Sequence, residues 1–238
     1  MKKPVKLIQL SDIHIHNLKF HAEYLTIFQE LYSILRKERP DFIVLCGDIA
    51  HSKTNISPEF VEICGNLFKN LSNIAETFII LGNHDIPLKN IDRQDAISPI
   101  VSALGIPNLH LLKKSCEVPL KGTEIVLNAL SIVDEAGWTL TPTDPTKINL
   151  ALYHGAIKGS RTDVGWMMEH GDHDISIFNN FDYAMLGDLH LSNQILDEAG
   201  KIRYSGCLVQ NNFGDKTTKA FSSGKSATKM ILIVGTSN

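Results

Sequence analysis

The 238-residue sequence has no apolar run long enough to cross a bilayer. Its longest early stretch, Val5 to Leu10, is interrupted by Lys6 and Gln9, whereas a spanning helix needs about 20 apolar residues. It also lacks the apolar core and small-residue cleavage site of a secretory signal. The four cysteines, Cys46, Cys64, Cys116 and Cys207, include no C-x-x-C pair, which argues against zinc ribbons and redox dithiols. Such cysteine usage, without a secretory signal, points to a reducing cytoplasm. Charge of one sign is also missing: 26 acids against 23 bases leave a net charge of −3. That excludes a binder of nucleic acid working by bulk charge alone, though not a nuclease with a local basic path. No internal repeat is visible, and 43% hydrophobic residues exclude intrinsic disorder. The ten histidines are the abundance that needs a cause.

Short aliphatic runs recur at 5–10, 42–46, 78–81, 125–130, 148–153 and 183–186. Between the first two, Ala22 to Lys37 places Leu25, Phe28, Leu31, Tyr32 and Leu35 at helical spacing, and Pro40 stands beyond its end. Between the second and third, Pro58 to Leu71 reads as a helix capped by Ser57, with Pro at its first position. The early half is therefore β-α-β-α-β with parallel strands. Runs at 109–112, 117–120 and 124–130 are spaced like adjacent strands, with a turn at Lys121-Gly122. A hairpin is expected around Glu198-Ala199-Gly200. The expected fold class is an α/β sandwich of mixed sheets. After Asp215 the composition shifts to Lys, Thr, Ser and Gly, with one strand-like run at 230–234. Ser223-Gly224-Lys225-Ser226 ends like a phosphate loop, but Lys219 stands where that pattern needs Gly.

The chemistry lies at the ends of the strands. Ser11-Asp12-Ile13-His14, Gly47-Asp48-Ile49-Ala50-His51, Gly82-Asn83-His84-Asp85, His154-Gly155 and Gly187-Asp188-Leu189-His190 each come directly after an apolar run. Ligands of open α/β sheets bind at the carboxyl ends of strands, so parallel strands bring all five clusters to one edge. One such cluster is commonplace; five in this order are not. Carboxylate and carbonyl oxygens suit Mn²⁺ or Mg²⁺, and imidazole adds affinity for Mn²⁺, Fe²⁺ or Zn²⁺. The donors outnumber what one ion needs. Two ions about 3.5–4 Å apart that share a carboxylate would clamp a phosphate and activate water for in-line attack.

These clusters resemble the motifs of the calcineurin-like metallophosphoesterase superfamily over roughly residues 5–213. His51 and the segment Tyr204-Ser205-Gly206-Cys207 followed by Phe213-Gly214-Asp215 look like its SbcD-type DNA double-strand-break repair nucleases, including phage recombination nucleases. The resemblance implies a metallophosphoesterase-type β-sandwich of mixed sheets flanked by helices. It implies Asp12, His14 and His190 on one metal, Asn83, His154 and Asp188 on a second, and Asp48 bridging both. His84 would face the scissile phosphate, Asp85 would orient His84, and His51 would position DNA or the leaving group. Asp188 departs from the pattern, which has His there; direct ligation is the expectation, contact through water the alternative. The implied function is a Mn-dependent DNA exonuclease and endonuclease core acting in repair or recombination with an SbcC-type ABC ATPase, a homodimer being compatible. The expected domain division is 1–215 for the catalytic domain and 216–238 for a short tail, without a full DNA-capping domain. A phosphodiesterase or phosphatase of small molecules, or an impaired scaffold of the same fold, are the competing readings.

Outside the motifs, His16 reads as a loop residue near the site, and His21 and His110 as structural or exposed. His170, Asp172, His173 and Asp174 read as a polar loop. Lys53, Lys89, Arg93, Lys158 and Arg161 come shortly after motif strands, where a phosphate backbone would pass. Trp138 and Trp166 are equally loop anchors and base-stacking platforms. Two divalent ions would shift the net charge from −3 to about +1.

Overall fold

The computed structural model describes residues 4–208 and, as backbone, 231–234. Eleven strands, in two stacked sheets, three α-helices and two short 3₁₀ turns are described. The first half runs β1 (Val5–Leu10), α1 (His21–Glu38), β2 (Phe42–Cys46), α2 (Pro58–Ile74), β3 (Glu76–Ile80), α3 (Ser98–Leu104) and β4 (Leu109–Leu111). The second runs β5 (Cys116–Pro119), β6 (Ile125–Leu130), β7 (Ile148–His154), β8 (Tyr183–Gly187), β9 (Gln194–Ile195) and β10 (Ile202–Tyr204), before β11 (Ile231–Val234). One sheet has the order β11-β1-β2-β3-β4 and the other β5-β6-β7-β8-β10-β9. Within them, β1 to β4 are parallel, as are β6, β7 and β8. The fold is the mixed-sheet α/β sandwich the sequence predicts.

Continuous apolar strands arise from burial on both faces. Leu7, Val44 and Phe78 point between the sheets and meet Leu127, Leu150, Leu152 and Met185 of the second sheet. Their neighbours Ile8, Leu10, Ile43, Leu45 and Ile79 point the other way, onto Phe28, Leu31 and Leu35 of α1 and Phe60 and Leu67 of α2. The outer face of the second sheet is covered by Phe178 and Phe181 from the segment before β8. Ser57 caps α2 as expected, its hydroxyl accepting from the Phe60 amide at 3.1 Å.

Four expectations are corrected. Leu25 is 53% exposed, and Tyr24 takes the buried place, its hydroxyl donating to the His14 carbonyl at 2.7 Å. The run at 109–112 does not join the strands after it: β4 extends the first sheet beside β3, and the chain then crosses to the β5–β6 hairpin. A three-residue apolar strand carries no signal of which sheet it enters. The helix α3 is not among the elements expected from periodicity. The five strand ends gather on two sheets rather than one, β1, β2 and β3 facing β7 and β8. Of the segment after 215, Ile231–Val234 pairs antiparallel with β1; the loop-like Ser223–Ser226 and Phe213-Gly214-Asp215 lie outside the described residues.

Candidate metal centre

The sheets are stitched together where the motif strands end. Gln9 donates through Nε2 to the Leu186 carbonyl at 2.9 Å, and the Ser11 hydroxyl to the Cys46 carbonyl at 2.9 Å. His154 donates through Nδ1 to that same Cys46 carbonyl at 2.7 Å. A carbonyl only accepts, so this contact keeps a proton on Nδ1 and leaves Nε2, facing the site, as the nitrogen that can bind a metal once it gives up its proton. Glycine is required at 187, because a Cβ there would overlap the Cys46 carbonyl and the Ser11 hydroxyl. Asp12, His14, Asp48 and Asp188 all have positive φ, at 52°, 49°, 52° and 99°. Non-glycine residues avoid that region, and such strain concentrates where side chains must be aimed.

The aimed side chains form two adjoining groups. In the first, His14 Nε2 stands 3.1 Å from His190 Nε2, 3.9 Å from Asp12 Oδ1 and 3.6 Å from Asp48 Oδ2. In the second, His154 Nε2 stands 3.3 Å from Asp48 Oδ1, 3.2 Å from Asn83 Oδ1 and 3.8 Å from Asp188 Oδ1. Donor atoms around an ion with bonds of about 2.1 Å lie roughly 3.0–3.5 Å apart, so both groups need little closure to hold one. Asp48 gives one carboxylate oxygen to each group. The seven residues assigned to metals in the sequence thus come together as two sets with a shared member. His14, His51 and His84 also bring one ring nitrogen each within 4.8 Å of one another.

The electrostatics of these groups favour a cation among them. Burial pushes the Asp12 carboxyl up to about 6 and the His14 imidazole down to about 3, each towards its neutral form. Burial also raises Asp188. Burial alone would raise Asp48, but the imidazoles of His154 and His14 outweigh it and hold its carboxyl below the usual range. The Asp48 carboxylate likewise overrides burial and holds His154 well above its ordinary value. Buried carboxylates and two facing imidazole nitrogens are stabilised together by positive charge placed between them. The donor set therefore fits divalent metal: Asp12, His14, His190 and Asp48 would hold one ion, and Asp48, Asn83, His154 and Asp188 a second.

His84 sits at the mouth of the centre. Its amide donates to Asp48 Oδ1 at 2.9 Å, and its Nδ1 donates to the His51 carbonyl at 2.9 Å. The second contact leaves Nε2 as the nitrogen that can meet a substrate. The expected pairing of Asp85 with the His84 ring is corrected. Asp85 is fully buried and accepts from the amides of Ile49 at 2.9 Å, Ala50 at 2.8 Å and Gly82 at 2.9 Å. It ties the loop after β2 to the loop after β3, so it holds the His51 carbonyl near His84 only through the backbone. The exposed His51 ring stacks on His16, centroids 3.6 Å apart.

Other sequence candidates disperse. His110 bonds Glu76 at 2.8 Å and stacks on Phe78. Lys53 reaches the centre, donating through Nζ to the Asn83 carbonyl at 2.8 Å. Asp172 and His173 line a cavity beside the second ligand group, together with Glu135 and Trp138. Glu135 and Trp138 sit on the loop after β6, a sixth strand end; the sequence names Trp138 as an anchor or stacking platform but does not single out Glu135, because no polar cluster directly follows that strand.

No helix of the described residues is long and apolar enough to cross a membrane. The chain is 38% identical over 227 residues to an uncharacterized protein of Acanthamoeba polyphaga mimivirus. The match covers 90% of this chain but only 17% of that relative's length. Among solved structures it is similar to the Pseudomonas putida nuclease MPE, at 16% identity and a TM-score of 0.37 over 63% of this chain and 62% of that one. A likeness that weak carries no argument. A family model does: the Calcineurin-like phosphoesterase model matches residues 5–215, the stretch from β1 past β10 that holds every residue of both ligand groups. The chain belongs to the calcineurin-like phosphoesterase family.

Proposed function

We propose that the chain is the core of a Mn-dependent DNA nuclease that hydrolyses phosphodiester bonds with two metal ions, in repair or recombination. The observation that carries the two-metal reading is Asp48, whose two oxygens lie 3.6 Å from His14 Nε2 and 3.3 Å from His154 Nε2. When bound, the ion pair neutralises phosphate charge and acidifies water. Mixed oxygen and imidazole donors support Mn²⁺, with Mg²⁺, Fe²⁺ or Zn²⁺ as competitors. The chain's own work is positioning. His84, held by the His51 carbonyl, puts Nε2 against the phosphate, where it stabilises oxygen charge or protonates the leaving oxygen. Lys53, fixed on the Asn83 carbonyl, brings a cation to the same edge for the strand backbone.

The DNA substrate and an SbcC-type ATPase partner rest on the resemblance of the motif set. Hydrolysis of linear DNA and of bis-p-nitrophenyl phosphate in Mn²⁺ tests the substrate. Cleavage of both supports the nuclease. Turnover of the small diester with DNA left intact supports a small-molecule phosphodiesterase instead.

A further inference from the structure

The segment after β7 forms a tight hairpin over 159–168. The Met168 amide donates to the Ser160 carbonyl at 2.7 Å, the Thr162 amide to the Trp166 carbonyl at 2.9 Å and the Gly165 amide to the Thr162 carbonyl at 2.9 Å. Its base is clamped to β9, where Gln194 donates through Nε2 to the Arg161 carbonyl at 3.0 Å. The tip is nevertheless apolar. Val164, Trp166 and Met167 stand in solvent, Trp166 being 77% exposed. Tryptophan and methionine are enriched in the cores of protein interfaces. Between 158 and 174 the carboxylates Asp163, Glu169, Asp172 and Asp174 stand against only Lys158 and Arg161, a balance that repels a phosphate backbone. On the other flank of the metal centre lies a hollow of about 400 Å³, walled by Ile56, by Val61 of α2, and by Pro99, Ile100 and Ala103 of α3. Its charged lining is Lys53, Arg93 and Asp95, and Asp95 is already paired with Lys113 at 2.7 Å. The hollow is therefore apolar and positive where the hairpin is apolar and negative.

We infer that the hairpin of one copy seats Trp166 in the α2–α3 hollow of the next, so that the protein associates head to tail. The two features do not meet within one chain. Gln9 of β1 donates to the carbonyls of Leu186 and Arg203, which puts the β10–β9 edge, and the hairpin with it, on the β1 side of the sandwich. The helix α3 packs against β4, at the other end of the first sheet. A second copy supplies what one chain cannot. An indole is the side chain that most often anchors an interface by filling an apolar pocket, and Asp163 beside it meets the positive lining of Arg93 and Lys53. The contact joins two different patches, so each pair keeps one unused hairpin and one unused hollow and can add further copies. A single hairpin buries little surface, which sets a weak association of roughly 10–100 µM. Association of this kind does not depend on the substrate.

Sedimentation velocity of the Mn²⁺-loaded protein from about 5 to about 500 µM, a range that brackets such an affinity, provides the test. The weight-average sedimentation coefficient is expected to rise with concentration past the value of a dimer. Trp166→Ser and Val61→Glu each remove one side of the contact. Both replace exposed side chains, Val61 being 42% exposed, so both variants should keep the wild-type Tm. Each alone should associate about tenfold or more weakly than wild type. Mixed one to one, the two variants should recover the wild-type affinity and stop at the dimer, because the intact hairpin of the Val61→Glu copy fits the intact hollow of the Trp166→Ser copy. Wild type that stays monomeric throughout the range, association that ends at a dimer, undiminished association of Trp166→Ser, or a mixture as weak as either variant alone overturns the inference.

Discussion

Asp85→Asn separates a structural carboxylate from a catalytic one. Asp85 accepts three backbone amides from two loops, at 2.8–2.9 Å, with no exposure to solvent. Asparagine keeps one oxygen, enough for the Ile49 and Ala50 amides, and turns an NH₂ group towards the Gly82 amide. One charge-assisted bond is lost and one buried N–H is orphaned, a cost of about 2–3 kcal/mol. For a chain of this size that lowers Tm by about 4–12 °C. Asp85→Ala orphans all three amides and costs about 3–9 kcal/mol, comparable with the whole stability of a domain. The assay is thermal unfolding in chelator, beside kcat at 25 °C on bis-p-nitrophenyl phosphate in Mn²⁺. The folded Asp85→Asn variant should keep kcat within about threefold, with an unchanged pH profile, because the His84 ring is held by the His51 carbonyl. A Tm within about 1 °C of wild type combined with a hundredfold fall in kcat would refute the reasoning and restore Asp85 as the partner of His84.

At the centre itself, His84→Ala should lower kcat by about 10²–10⁴ while metal analysis still finds two ions per chain, since both ligand groups are complete without it. Metal affinity should weaken by at least about tenfold per pH unit below pH 6, read by calorimetric titration of Mn²⁺, because an ion must displace the proton that burial favours on Asp12 and the one that Asp48 favours on His154. Stability of the metal-free protein depends on the same groups. Asp12 and Asp85 have folded values raised from 3.8 to about 6 and about 7. Their contribution is full below 3.8 and lost as pH rises through 6 and 7. The gain in Tm on adding Mn²⁺ should therefore grow between about pH 5 and pH 7.5, and a flat or falling gain contradicts the assignment. Gly187→Ala should cost about 1–3 kcal/mol by overpacking and should lose metal from the second group first, because the added Cβ lies 2.8 Å from His154 Nδ1.

What was legible in the sequence was whatever an apolar strand announces and a polar cluster completes. Asp12, Asp48 and His154 each stand at the end of a buried strand, so the pattern places them, and the family motifs supply their order. What was illegible depends on contacts between strands far apart in the chain. That β1 to β3 and β7 to β8 face one another across two sheets rests on alternate residues such as Leu7 and Leu150 packing together, which a single strand's pattern does not reveal. Asp85 next to His84 suggested a pair, yet adjacent residues on a tight turn point apart, and its oxygens were claimed by the amides of Ile49, Ala50 and Gly82. Trp138 was legible only as a loop anchor or stacking platform, and Glu135 not at all, because no polar cluster directly follows β6; their place beside Asp188 and Asn83 emerges only in the fold.

Everything above turns on Asp48 joining two metal sites. A crystal structure of the Mn²⁺-loaded protein, with the ions located by anomalous scattering, decides it. Two peaks about 3.5–4 Å apart are expected, one Asp48 oxygen on each, with Asp12, His14 and His190 at the first and Asn83, His154 and Asp188 at the second. A single ion, or two ions with Asp48 bound to only one of them, would show that Asp48 is no bridge.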